Sequence, residues 1–175
     1  MIREKLLKLG FDNVGKTTTN LIPFEPPLIE MCKMNSCGNY GKSYSCPPLV
    51  GDTDELIEKA KTYKFLTVFQ KVYTLEDSFD FEGMTEGKNN FKALTKKVAP
   101  VCEEHFDDFI LLGAGPCDLC KECAILTDTP CRFPEKAIAS LESYAIKVSD
   151  LASLCSMKYI NGVNTVTYFG AVLHN

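Results

Sequence analysis

Apolar positions along the chain mark out a series of short elements. Ile2, Leu6 and Leu9 fall at helical spacing with Leu7 beside them, and Gly10 suits the left-handed position that ends a helix. Leu56, Ala60 and Tyr63 define one face of a second helix, with Ile57 alongside, Asp52 placed to cap it and Glu55 three residues on. Phe65 to Leu75 is rich in β-branched and aromatic residues and predicts a strand covered on both faces. Phe91, Leu94, Val98 and Cys102 recur at steps of three and four, which predicts a helix over 88–106 kinked or interrupted at Pro100. Phe109 to Leu112 reads as a short buried strand and Thr165 to Leu173 as a closing one. Between them, Pro134 fits the first position of a helix running to about Tyr144 that buries Ile138 and Leu141. Ser149 or Asp150 then caps a last short helix carrying Leu151, Leu154 and Cys155.

The remaining stretches are polar or broken. Residues 17–27 are β-branched and then interrupted by prolines, which reads as a strand or extended segment. Residues 76–87 read as an acidic, flexible loop. The strand–helix–strand run from Phe65 to Leu112 predicts a right-handed crossover between two parallel strands. The expected fold is α+β, or small α/β. It has a mixed sheet of about four strands packed with helices, plus a cysteine-rich iron–sulfur lobe. A single metal-binding domain covers 1–175, and its cysteine loops at 30–50 and 113–135 form the cofactor lobe.

Composition narrows the classes of function. At 45% hydrophobic and 24% charged, the 175 residues suit one ordinary globular domain. The net charge of −4 argues against a nucleic-acid partner. No apolar run approaches a membrane span, and the first ten residues lack the uninterrupted apolar core of a signal peptide. A cytoplasmic location is expected, where the nine cysteines stay reduced and read as metal-binding or redox groups instead of disulfides.

Most of those cysteines fall in two loops. Cys117, Cys120 and Cys123 follow one another in steps of three, and Cys131 comes seven intervening residues later. Steps of three let a tight coil place three thiolates around one cubane, while the fourth iron takes a more distant cysteine. Structural zinc sites instead combine separate cysteine or histidine pairs. A [4Fe–4S] cluster, one or two of them, is therefore expected, with zinc as the alternative. Cys32, Cys37 and Cys46 form the other group, in a turn-rich loop where Gly38, Gly41, Pro47 and Pro48 let thiolates converge. Cys131 serves as the fourth ligand of its own loop, or else exchanges with Cys46, which precedes a proline. Either division of seven cysteines leaves one site a ligand short, with Cys102, Cys155, His105, water or a substrate to fill it. Cys102 continues an apolar stripe, so core packing is its expected role.

A formal phosphate-loop pattern also occurs, GFDNVGKT from Gly10 to Thr17. The chemistry requires a strand before the loop and a helix after it. Here a helix precedes the pattern and an extended segment follows, so a polar turn with a chance match is expected.

CGNYGKSYSCPP, GAGPCDLCKECA and PCRFPEKAIASLESYAIKV together resemble an uncharacterised family of predicted metal-binding proteins common in anaerobic bacteria and archaea. The resemblance runs from about Cys32 to Val148 and implies metal-ligand status for Cys32, Cys37, Cys46, Cys117, Cys120, Cys123 and Cys131. The family's S-M-E-A-x-G-I-[DN]-V stretch is matched by Ser140 to Val148, with Ala145 in place of the glycine, so the tight turn a glycine allows is not expected. The function expected is an iron–sulfur protein of an anaerobe that moves electrons to or from a redox partner protein. One alternative is a cluster-dependent redox enzyme with a small-molecule ligand between the cysteine loops, near Arg132, Lys42 and Tyr40. The other is a zinc-stabilised interaction module.

Overall fold

The computed structural model describes residues 1–175, an α+β protein built on one five-stranded mixed sheet. The strands are β1 (Asn13–Thr18), β2 (Phe65–Thr74), β3 (Phe109–Gly113), β4 (Ala139–Ser140) and β5 (Thr165–His174), in the order β1-β2-β5-β3-β4. All neighbours are antiparallel except β3 and β4. The spine is the β2–β5 ladder, in register from Phe65 opposite His174 to Thr74 opposite Thr165. Phe69 and Gly170 face each other in it, and a Cβ on Gly170 would overlap the Phe69 ring and crowd the Leu112 carbonyl at 2.9 Å. That position therefore admits only glycine.

Side chains alternate across the central strands, as the pleat requires. Leu66, Val68, Phe169, Ala171, Leu173 and Leu112 face one core. The opposite core receives Phe69, Val172 and Leu111. The first face is covered by α3 (Thr53–Lys61), α6 (Val148–Leu154) and the segment Leu141–Ile146. The second is covered by α1 (Ile2–Leu9), α4 (Phe81–Lys96) and α5 (Val98–Glu103). A further short helix, α2 (Leu28–Lys33), precedes the first cysteine loop. Asp52 caps α3 by accepting from the N–H groups of Asp54 and Glu55, and Gly10 ends α1 at φ 113°.

Several expectations are corrected. The mixed sheet of about four strands has five, with the short edge strand β4 the unforeseen one, and β1 lies at 13–18 instead of within 17–27. Gly10–Asp12 turn the chain from α1 into β1, and Gly15 and Lys16 sit inside that strand, so the pattern forms no phosphate loop leading into a helix. β2 and β3 run in the same direction, but β5 is inserted between them and pairs with both. Residues 81–87 are helical, not loop. Asp80 caps α4 through Gly83 N–H at 2.8 Å, and Gly87 lets the helix lie against Tyr73, which outweighs the weak propensity of two glycines. The break foreseen at Pro100 falls at Lys97, leaving the proline in the first turn of α5, where its missing N–H costs no helical bond.

No helix runs from Pro134 to Tyr144. The chain turns at 134–136, adds β4 to the sheet and forms a 3₁₀ turn over Glu142–Tyr144. The Ser140 hydroxyl accepts from Ser143 N–H at 3.0 Å, the kind of local bond by which serine diverts a backbone from helix. Ala145 does occupy a tight left-handed position, φ 56°, although it carries a Cβ. α6 starts at Val148 with Lys147 before it, one turn-fraction earlier than Ser149 or Asp150 would place it.

Candidate metal centre

The second cysteine loop is the excursion between the parallel strands β3 and β4. Gly115, at φ 70°, turns the chain out of β3, and no residue from Gly115 to Glu122 makes a backbone–backbone hydrogen bond. Side chains from elsewhere hold this stretch instead. Cys117 N–H donates to Ser45 Oγ at 2.8 Å, and Lys92 Nζ donates to the Pro116 carbonyl. Lys96 pairs with Asp118 at 2.8 Å, and Arg132 donates to the Glu122 carbonyl at 3.1 Å. After Cys123 a 3₁₀ turn over Ala124–Thr127 and a left-handed Asp128 reverse the chain. Thr127 and Thr129 both donate to the Ala124 carbonyl at 3.1 Å, locking that reversal.

The reversal brings Cys131 back, so that Cys117, Cys120, Cys123 and Cys131 line one cavity of about 30 Å³ with Ser43 and Ser45. Burial acts to raise the Cys123 pKa, but the N–H groups of Ile125, Tyr44 and Ala124 and the Ser43 hydroxyl outweigh burial and hold it below the ordinary thiol value.

The first cysteine loop builds a different place. Cys32 sits on α2, Cys37 in the turn after it, and Cys46 beyond a hairpin-like loop closed by Gly41 N–H on the Pro47 carbonyl at 3.0 Å. Asn35, at φ 56°, also accepts from Tyr40 N–H at 3.1 Å. Cys32, Cys37, Cys46, Tyr40, Glu142 and Ser143 line a cavity of about 280 Å³. Burial, then the neighbouring Cys37 and Glu142 charges, push Cys32 up. Burial does the same for Cys46 against the opposing hydroxyls of Ser45 and Ser43. Glu142 is exposed at the cavity wall, and the packing around its carboxyl pushes the pKa up by burial, against hydrogen bonds from its own N–H and the Ser140 hydroxyl.

A chain of buried serines joins the two cavities. Ser43 and Ser45 hydroxyls lie 2.9 Å apart, and Ser143 donates to the Ser45 carbonyl at 3.0 Å. The Ser140 hydroxyl lies 2.9 Å from that of Ser143. Tyr44 adds a second tie, donating its hydroxyl to the Thr129 carbonyl at 2.8 Å.

The structure leaves Cys46 with Cys32 and Cys37, and Cys131 with Cys117, Cys120 and Cys123. Cys102 is fully buried in the α1–α4–α5 core, and its thiol is pushed up to about 12 by burial first and by Glu103. Cys155 packs against the opposite core beside Gly15. His105 is exposed, with Nδ1 on the Val101 carbonyl at 2.8 Å. Arg132 lines the four-cysteine cavity and Tyr40 the three-cysteine one, while Lys42 is exposed and lines neither. Glu142 is the site residue that periodicity and spacing gave no reason to select. It lies 96 positions after Cys46 in number and shares a cavity with it only through the fold.

Thiols grouped around two joined cavities on an α+β scaffold define a metal-binding type of protein. The family model "Predicted metal-binding protein (DUF2284)" matches residues 16–174, and the chain belongs to that family. No curated protein matches the sequence. Among solved structures the chain is similar to epoxyqueuosine reductase from Bacillus subtilis at 10% identity and TM-score 0.44, covering 99% of this chain and 44% of that one. It is also similar to an epoxyqueuosine reductase crystallised with an epoxyqueuosine-modified tRNA stem loop, at 11% identity and TM-score 0.42, covering 98% and 44%. The chain thus spans less than half the length of either. No helix is long and apolar enough to cross a membrane.

Proposed function

We propose that the chain holds a [4Fe–4S] cluster through Cys117, Cys120, Cys123 and Cys131 and a second metal group at Cys32, Cys37 and Cys46, and that it exchanges electrons with a redox partner protein. The observation that carries this reading is the gathering of four cysteines around one cavity, with the other three around a second cavity tied to it by serines. Bound there, such a cluster supplies a reversible one-electron couple with charge spread over several irons.

The donor set fits. Thiolates are the ligands that iron–sulfur clusters take. Four cysteines line one cavity and three line the other. One zinc ion would draw its sulfurs to about 3.8 Å of one another, given a Zn–S distance of about 2.3 Å. A cubane needs more room than about 30 Å³, so on this reading the Gly115–Glu122 stretch, held by side chains and without backbone ladder bonds, shifts outward when the cluster is bound. Lys92 and Lys96 place positive charge beside this stretch, which favours thiolates and the more negative, reduced state. Tyr44 N–H, 3.5 Å from Cys123 Sγ, acts in the same direction.

A second reading, a cluster-dependent redox enzyme, is favoured by the cavity of about 280 Å³ at Cys32, Cys37 and Cys46, which has room for a small molecule. Anaerobic purification followed by iron, acid-labile sulfide and zinc analysis tests both. Iron with equimolar sulfide is expected. A spectrum changed by added small ligands would favour the enzyme over the carrier, and stoichiometric zinc without iron would sink both in favour of a zinc-stabilised interaction module.

A further inference from the structure

The three-cysteine cavity needs a fourth donor to complete a four-donor protein site. The two leftover cysteines are packed in the cores on either side of the sheet. His105 is bound to its own helix, and His174 is buried against Thr67 with Nε2 at 2.9 Å from Oγ1. Glu142 alone among the remaining acidic and histidine side chains lines the cavity. From this placement we infer that Glu142 is the fourth protein donor at Cys32, Cys37 and Cys46, binding through a carboxylate oxygen where the other site uses a thiolate. The assignment rests on the metal reading of that site.

Charge supports it. Three thiols and a carboxyl surround one space, and no lysine, arginine or histidine lines it. None of the ion pairs in the molecule involves Glu142. Acidic groups grouped this way repel one another unless a cation is held between them.

Geometry supports it independently. Leu141 is buried at 1% exposure on one side of the carboxylate-bearing turn, and left-handed Ala145 fixes the other. Ser143, next in the chain, bonds the carbonyl of Ser45, which is next to Cys46. Glu142 and Cys46 are therefore carried by one hydrogen-bonded frame, a requirement for donors from distant parts of a chain. Carboxylate is a harder ligand than thiolate and binds soft cluster iron less tightly. The position it holds is accordingly the exchangeable one, and it opens into the larger cavity.

The test compares the full-length wild type with E142A, E142Q and E142C, all purified anaerobically, by iron and sulfide content and by electron paramagnetic resonance after dithionite reduction. E142A and E142Q are expected to lose about half of the iron and sulfide while keeping the four-cysteine signal. That retained signal shows that the chain has folded. E142C is expected to regain the metal with an altered, all-thiolate spectrum. A merely structural glutamate gives the reverse pattern, in which shape-conserving E142Q keeps wild-type metal and spectrum and E142C loses them, and that result overturns the assignment. Zinc without iron in the wild type would instead overturn the cluster reading itself.

Discussion

The two cysteine sites differ in how they are made. Cys117, Cys120, Cys123 and Cys131 come from one stretch of chain, close over about 30 Å³, and include a thiol held below its ordinary pKa by N–H and O–H donors. Cys32, Cys37 and Cys46 come from α2 and its following loop, meet Glu142 from beyond β4, and border about 280 Å³ with two thiols pushed up. The compact site is made by local sequence and is closed off by its own loop. The open one is made by tertiary structure and keeps room beside its donors. The difference is one of construction: one site comes from a single stretch, the other from segments joined only by the fold.

Substitutions should separate the sites. Cys120→Ser removes a donor from the compact site alone, so iron content should fall by about half while the open site's signal persists. Loss of both signals would show that the sites are not distinct. Ser45→Ala strikes the joint instead. It strips Cys117 N–H of its acceptor and breaks the serine chain, at a cost of about 1–3 kcal/mol. Melting temperature should drop, and a chelator should draw metal faster from both sites. Equal release rates in mutant and wild type would mean the serines do not couple them.

Lys92→Met is gentler. It removes a half-buried charge beside Pro116 and Cys117, so the compact site's potential should shift negative while the open site's stays fixed. Spectroelectrochemical titration resolves the two. Cys102→Ser should have the smallest effect on metal, none, although a hydroxyl in that fully buried place costs about 1–3 kcal/mol of stability. Loss of iron in this variant would place Cys102 in a site and not in the core.

How far the sequence could be read follows the same divide. The strands β2 and β5 and the helix α3 were legible because each has its own local period or cap, but the pairing of β2 with β5 was not. The helix expected after Pro134 failed because Ser140 and Ser143 bond locally and because β3 offers β4 a partner, neither of which periodicity records. α4 began early because Asp80 caps it and Gly87 packs under Tyr73, both invisible in a count of acidic residues. Grouping Cys117, Cys120 and Cys123 needed only their spacing. Placing Glu142 beside Cys46 needed the whole sheet, since their neighbourhood depends on long-range pairing.

The middle position of β5 has a bearing on how the protein is made. Every one of the seven clustered cysteines precedes residue 165, yet β2 and β3 meet only through the strand that begins there. A chain synthesised from its N-terminus therefore presents all seven thiols to the cell before its sheet can close. For that interval they are open to oxygen and to whichever metal is most abundant. The Cys46–Ser45–Ser143 frame, which brings the two cysteine loops together, therefore forms late in synthesis.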